Sequence, residues 1–322
     1  MRVKSNTPLP AIPAYFRVDR VEEDLEVERL PRLSPPGPHG TRRTVGFTAR
    51  ELGDGVLYYE TEAPILSLLG AGSRWQFWIH GLARERARIA TAVPFYDLAP
   101  VRFKVTQLLS KLVLFVMTIR LIRKGLAMCH ATTVAADGRA YLLMGFSGTG
   151  KSTVASSLLR QGYEFMSDDY LIADADGRVY AYPDWQKPRP FRARVPLVKY
   201  LGITRPYTRP HIKICPQARI GPVLILERGP DRIVPLDREE AMRRILLLNL
   251  EEISKLWNSP LSPMLGHYAY FYPELDLEGL LARYRACVSA LVRRAGPFVH
   301  VQSSTPNFPL LTDEFVRNLG GA

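Results

Sequence analysis

The chain has 322 residues, 47% of them hydrophobic, enough to fill a sizeable core and to build one large domain or two. Lys and Arg number 43 against 31 Asp and Glu, a formal charge of +12, yet the positive residues are dispersed, so composition does not mark a nucleic-acid-binding protein. Cys129, Cys215 and Cys287 are odd in number and far apart, which speaks against a disulfide framework or a zinc site and fits a reducing cytoplasm, and Pro8, Pro10 and Pro13 stand where a secretory signal needs an apolar core.

Residues 1–100 read as a separate α+β region of unknown role. Tyr15–Val18 and Val56–Glu60 are strand-like, the proline-rich stretch 31–40 is a loop, and Arg74–Ile79 alternates as a half-buried strand with Trp75 and Trp78 in the core. No catalytic constellation stands out there. Leu108–Ile122 is the most apolar helical stretch, but Lys111 and Arg120 interrupt it and it is shorter than the roughly 20 residues of a membrane span, so a buried helix is expected. Cys129–Ala135 reads as a strand that turns through Asp137-Gly138 into a second strand at Tyr141–Met144.

The sequence that follows, Gly145-Phe-Ser-Gly-Thr-Gly150-Lys151-Ser152, fits G-x-x-x-x-G-K-[ST]. In that pattern glycines let successive backbone N–H groups converge on the phosphates of a nucleotide. Val154, Leu158 and Leu159 then recur at helical spacing until Gly162, giving strand, glycine loop and helix in order. Such a helix points its positive end at a bound anion. The residues expected to bind the nucleotide are Gly145, Ser147, Gly148, Thr149, Gly150, Lys151, Ser152 and Thr153, with Lys151 adding a full charge and Ser152 completing the coordination of Mg²⁺.

Tyr163–Met166 leads as an apolar strand into Ser167-Asp168-Asp169 and is expected beside the strand that feeds the loop; adjacent aspartates at a strand end point in different directions. A hairpin at Asp176-Gly177 and a strand from Arg178 to Tyr182 complete a mixed sheet. Residues 183–218, with Lys187, Arg189, Arg192 and Arg194, read as loops. A strand at Val223–Glu227 and a return strand at Arg232–Leu236 follow. Asp237-x-x-Glu240 opens a helix to Trp257 with Met242, Leu246, Leu250 and Ile253 on one face. Asp276 caps a last long helix to Arg294, and Phe298–Gln302 is a final strand before a short tail.

Taken together, His130, the loop from Gly145 through Ser147, Gly148 and Gly150 to Lys151 and Ser152, the Gln161-Gly162 helix end and Ser167-Asp168-Asp169 resemble the catalytic domain of HPr kinase/phosphorylase and, more distantly, phosphoenolpyruvate carboxykinases. The resemblance covers about 55 residues closely and implies an α/β fold with a mixed-sheet P-loop kinase domain over 101–322. It implies an ATP- and Mg²⁺-dependent kinase with an alcohol group as acceptor. In it Lys151 binds phosphate, Ser152 and Asp169 hold Mg²⁺, Asp168 takes the acceptor's proton and His130 sits at the edge of the site. It also implies a homo-oligomer. Arg228, at a strand end, is a candidate transition-state cation. The Glu-x-Arg-Gly-Leu-Gly signature of HPr kinases is absent, so the chemistry is expected to carry over to another hydroxyl on a small molecule or peptide. The rival reading is an ATP-binding switch or ATPase with no acceptor.

Overall fold

A computed structural model of the chain describes residues 3–5, 25–30, 33, 42–45, 48–62, 74–93, 99–183, 189–190, 204–205, 212–257 and 262–321. The strand expected at Tyr15–Val18, most of the loop at 31–40, and Lys187, Arg192 and Arg194 lie outside these residues. In chain order the strands are β1 (Val3–Ser5), β2 (Leu25–Arg29), β3 (Arg43–Val45), β4 (Ala49–Gly53), β5 (Val56–Glu62), β6 (Arg74–His80) and β7 (Ala87–Ala92). Helix α1 (Ala99–Arg123) precedes β8 (Leu126–His130), β9 (Thr132–Ala136), β10 (Arg139–Met144), α2 (Lys151–Arg160), β11 (Glu164–Ser167), β12 (Tyr170–Asp174) and β13 (Arg178–Tyr180). Then come β14 (Arg189–Pro190), β15 (Thr204–Arg205), β16 (Gln217–Arg228), β17 (Arg232–Leu236), α3 (Arg238–Trp257), α4 (Ser262–Phe271), α5 (Leu277–Arg294), β18 (Phe298–Ser303) and α6 (Asp313–Gly321). The chain is thus α/β with mixed sheets. No helix among the described residues is long and apolar enough to cross a membrane.

The chain divides into two compact units. One comprises Met1–Arg120, Lys187–Pro206 and Lys255–Gly279; the other comprises Leu121–Gln186, Tyr207–Ser254 and Leu280–Ala322. The first holds a seven-stranded sheet in the order β1-β2-β7-β6-β5-β4-β3. Trp75 and Phe77 alternate inward along β6, and the buried Trp75 indole donates to Thr91 Oγ1 at 2.6 Å, so its one polar atom is satisfied inside the core. Trp78, expected in the core with Trp75, is partly buried and lies edge-on to Tyr58. Helix α4 is fastened to this sheet by Tyr268, whose hydroxyl donates to Gly55 O at 2.9 Å and accepts from Leu82 N–H at 3.0 Å.

The second unit holds the nine-stranded sheet, whose path runs β11-β9-β10-β16-β13-β12-β8, with β18 beside β16 and β17 beside β18. The stretch expected as one strand from Cys129 is two: β8 pairs β12, Ala131 interrupts, and β9 pairs β11 and β10. Because β8 runs on into β9, and β11 into β12, the pairings return on themselves. The Asp137-Gly138 turn makes the β9–β10 hairpin, and this hairpin inserts β9 between β10 and β11. The aspartate-bearing strand is therefore one strand removed from the glycine-loop strand, where sequence reasoning put it adjacent.

On one face of this sheet Val134, Tyr141, Leu143, Leu224, Leu226, Val299 and Val301 pack with Val154, Ala155 and Leu158 of α2 and with Val316 of α6. Each such buried aliphatic side chain contributes about 1.5–3 kcal/mol, which explains how α6 forms where only a tail was expected. Helix α3 begins as expected: Asp237 Oδ1 accepts from Glu240 N–H at 2.8 Å. Its buried face, however, runs through Ala241, Ile245, Leu248 and Asn249, while Met242 and Leu246 are only partly buried; the Leu250 and Ile253 side chains lie outside the described residues. Burial raises the Cys129 thiol to about 12, and Cys287 is raised for the same reason, so both behave as core residues.

Candidate functional site

The loop between β10 and α2 depends on glycine at both ends. Gly145 has φ 152°, and a Cβ there would lie 2.5 Å from the Leu226 carbonyl oxygen; Gly150 has φ 117°, and its Cβ would meet the Pro306 carbonyl oxygen at 2.6 Å. The loop is tied through the Phe146 carbonyl, which accepts from Thr149 Oγ1 at 2.9 Å and from Lys151 Nζ at 3.1 Å. Lys151 Nζ also donates to Gly145 O at 2.7 Å, so its stem is buried while the ammonium closes the loop on itself. At Gly150 no side chain caps α2, and its first turn holds no acid. The positive end of the helix thus faces the loop with no acid of its own first turn, and the carboxylate that reaches it, Asp168, comes from the end of β11. Ser147 and Gly148 are exposed at the rim and Thr153 is exposed on the first turn of α2.

Asp168 reaches this loop. Ser152 Oγ donates to Asp168 Oδ1 at 2.6 Å, joining the end of β11 to the start of α2 across the intervening strand. The aspartate pair sits where the long antiparallel ladder of β8–β9 against β11–β12 breaks. There Thr132 Oγ1 donates to Asp168 O at 2.6 Å, Ala131 N–H donates to Asp169 O at 3.2 Å, and Ser167 Oγ donates to Ala131 O at 3.1 Å. The backbone of both acids is therefore fixed from the opposing strand.

His130 faces Tyr170 across the β8–β12 register, its ring edge-on to the tyrosine with centroids 5.9 Å apart. Its backbone N–H donates to Oδ1 of the buried Asn249 at 2.8 Å, and Asn249 Nδ2 donates to Ile245 O at 2.8 Å, so α3 anchors this end of the site. Arg228 ends β16 and donates from Nη2 to Ser304 O at 2.7 Å. Ser152 and Asp168 meet at the break in the ladder, where the Asp169 backbone is paired with Ala131, the residue after His130; Arg228 lies on the far flank of β10, at the end of its parallel neighbour.

Two contributors escaped sequence reasoning. Asn249 is a polar residue on an apolar helical stripe, and that mismatch was its one signal. The segment after β18 lies against Gly150, and a run of Ser, Thr and Asn directly beyond a buried parallel strand is the pattern that marks such an edge. An oxygen-only pair of a hydroxyl and a carboxylate suits Mg²⁺, a hard cation, and a glycine loop leading into an uncapped helix start suits a phosphate.

No protein-family model matches the sequence, and no curated protein matches it. Among solved structures the chain is similar to the Hpr(Ser) kinase/phosphatase from Coxiella burnetii, at 14% identity over 34% of this chain and 77% of that one, with a TM-score of 0.21, a likeness too low to bear on function.

Proposed function

We propose that the chain is an ATP- and Mg²⁺-dependent phosphotransferase of the P-loop kinase type, transferring the γ-phosphoryl group to a hydroxyl of a small molecule or peptide rather than to HPr. The observation that carries this reading is the 2.6 Å hydrogen bond from Ser152 to Asp168. It links the hydroxyl at the head of the helix to a carboxylate that is distant in sequence and held by the opposing strand, the arrangement that phosphoryl transfer needs for a cation at the triphosphate.

Lys151 supplies charge to the phosphates, and the amides of the loop and of the first turn of α2 orient them. Ser152 and Asp168 would hold Mg²⁺, which would supply charge neutralisation at the phosphate oxygens. Asp169, flanked by the Tyr170–His130 pair, takes the proton of the acceptor hydroxyl. As the acceptor oxygen bonds to the γ-phosphorus, the bond to the bridging oxygen breaks and ADP leaves with that electron pair. This assignment exchanges the two aspartate roles that the resemblance implies, on the strength of the Ser152 contact. Arg228, engaged by Ser304 O, steadies the neighbouring loop.

The test is single-turnover transfer from γ-labelled ATP by the full chain, offered free serine, serine-containing peptides and sugars. One class of hydroxyl is expected to take up label many-fold faster than water does. Label appearing only as inorganic phosphate with every acceptor would leave the ATPase switch as the better reading.

A further inference from the structure

β10, β16 and β18 are mutually parallel, so the loops that follow them open on one edge of the sheet. Asp168 approaches that edge from the β9 side and is bonded to Ser152. On the opposite flank the segment after β18 rests on Gly150, with the Pro306 carbonyl oxygen and the Phe308 ring against its Cα.

This segment is built. Asp231 Oδ1 accepts from Ser304 N–H at 2.8 Å, Ser303 Oγ at 3.0 Å and Ser304 Oγ at 3.2 Å, and Arg228 holds the Ser304 carbonyl from the other side. Phe308 is 1% exposed within the α2 core and has φ 48°, a left-handed conformation that a bulky side chain rarely adopts unless its surroundings impose it. Between these anchors Thr305 and Asn307 are exposed, and among the described residues their side chains make no hydrogen bond.

We propose that this segment is the nucleoside seat: with the phosphates in the glycine loop, the sugar and base of an adenine nucleotide lie against Thr305–Asn307. The inference rests on the nucleotide reading above and extends it to the base. A triphosphate whose cation end is turned toward Asp168 directs its nucleoside to the other flank, and there the segment after β18 abuts the loop. The Asn307 amide offers one donor and one acceptor, matched to N7 and the N6 amino group of adenine. Guanine presents adjacent N1–H and N2–H donors that call for an open carboxylate, and Asp231, the one acid of this segment and the adjoining Arg228–Asp231 turn, already accepts three bonds on Oδ1.

The experiment is calorimetric titration of the full chain, with Mg²⁺ present, using ATP, GTP and inorganic tripolyphosphate. The native chain is expected to bind ATP more tightly than GTP. Asn307→Ala is expected to weaken ATP about tenfold and bring the two nucleotides close to parity, while tripolyphosphate binding stays unchanged. Asn307→Asp, which places an open carboxylate at the seat, is expected to turn the preference toward GTP, a gain that misfolding cannot imitate. Equal affinity of the native chain for ATP and GTP, or an unchanged ATP-to-GTP ratio in both variants, overturns the seat. Failure of the native chain to bind either ATP or tripolyphosphate overturns the nucleotide reading itself.

Discussion

Replacing Lys151 with methionine is expected to weaken ATP binding by about a hundred- to a thousandfold, on the order of 3–4 kcal/mol. The substitution keeps most of the buried stem and removes the ammonium. Two effects then add. The triphosphate loses a full positive charge, and the loop loses the donors that now tie Gly145 O and Phe146 O together. Lys151→Arg is not expected to restore binding, because a planar guanidinium cannot sit at two backbone carbonyls in the space of a compact ammonium. Calorimetry with ATP reports the loss, and an unaltered melting temperature separates it from unfolding. Native affinity in Lys151→Met would remove the loop from the binding site.

Asp168→Asn and Asp169→Asn are expected to fail in different ways. Asp168 accepts from Ser152, so an amide in its place weakens the hold on the cation: the Mg²⁺ concentration for half-maximal transfer rises, and transfer at subsaturating Mg²⁺ falls by about 10²–10³-fold. Asp169→Asn removes a general base and is expected to lower the single-turnover rate by about 10²–10⁴-fold while leaving the Mg²⁺ requirement and ATP affinity in place. The converse outcome, with the metal requirement shifted by Asp169→Asn alone, would return the two acids to the roles that the resemblance implies. Titrating Mg²⁺ in the labelled-ATP assay decides between them.

The parts of this site that were legible in the sequence are those written in one short stretch. The glycine loop reveals itself because its backbone conformation admits few residues at Gly145 and Gly150, and the Asp137-Gly138 hairpin and the Asp237 and Asp276 caps follow from equally local chemistry. Strand order was harder. Which neighbour β11 takes depends on the β9–β10 hairpin folding into the gap, a long-range choice that no local pattern encodes. The phase of α3 was obscured because Ile245–Leu248 is a continuous apolar run that fits more than one helical face. Helix α6, ending in Gly320-Gly321, has weak intrinsic propensity and owes its place to Val316 in the core. The contact of Pro306 with Gly150 joins residues separated by half the chain, so the second flank of the site emerged from the fold alone.

If Ser152 and Asp168 hold one cation at a nucleotide in the glycine loop, the two residues share a single Mg²⁺-dependent gain in ATP affinity. This is tested most directly by measuring ATP affinity with and without Mg²⁺ in the native chain, Ser152→Ala, Asp168→Asn and the double variant. Mg²⁺ is expected to tighten ATP binding in the native chain, either single substitution to remove most of this gain, and the double variant to lose little more than either. A Mg²⁺ effect that survives undiminished in Asp168→Asn, or losses that simply add in the double variant, would contradict a shared cation.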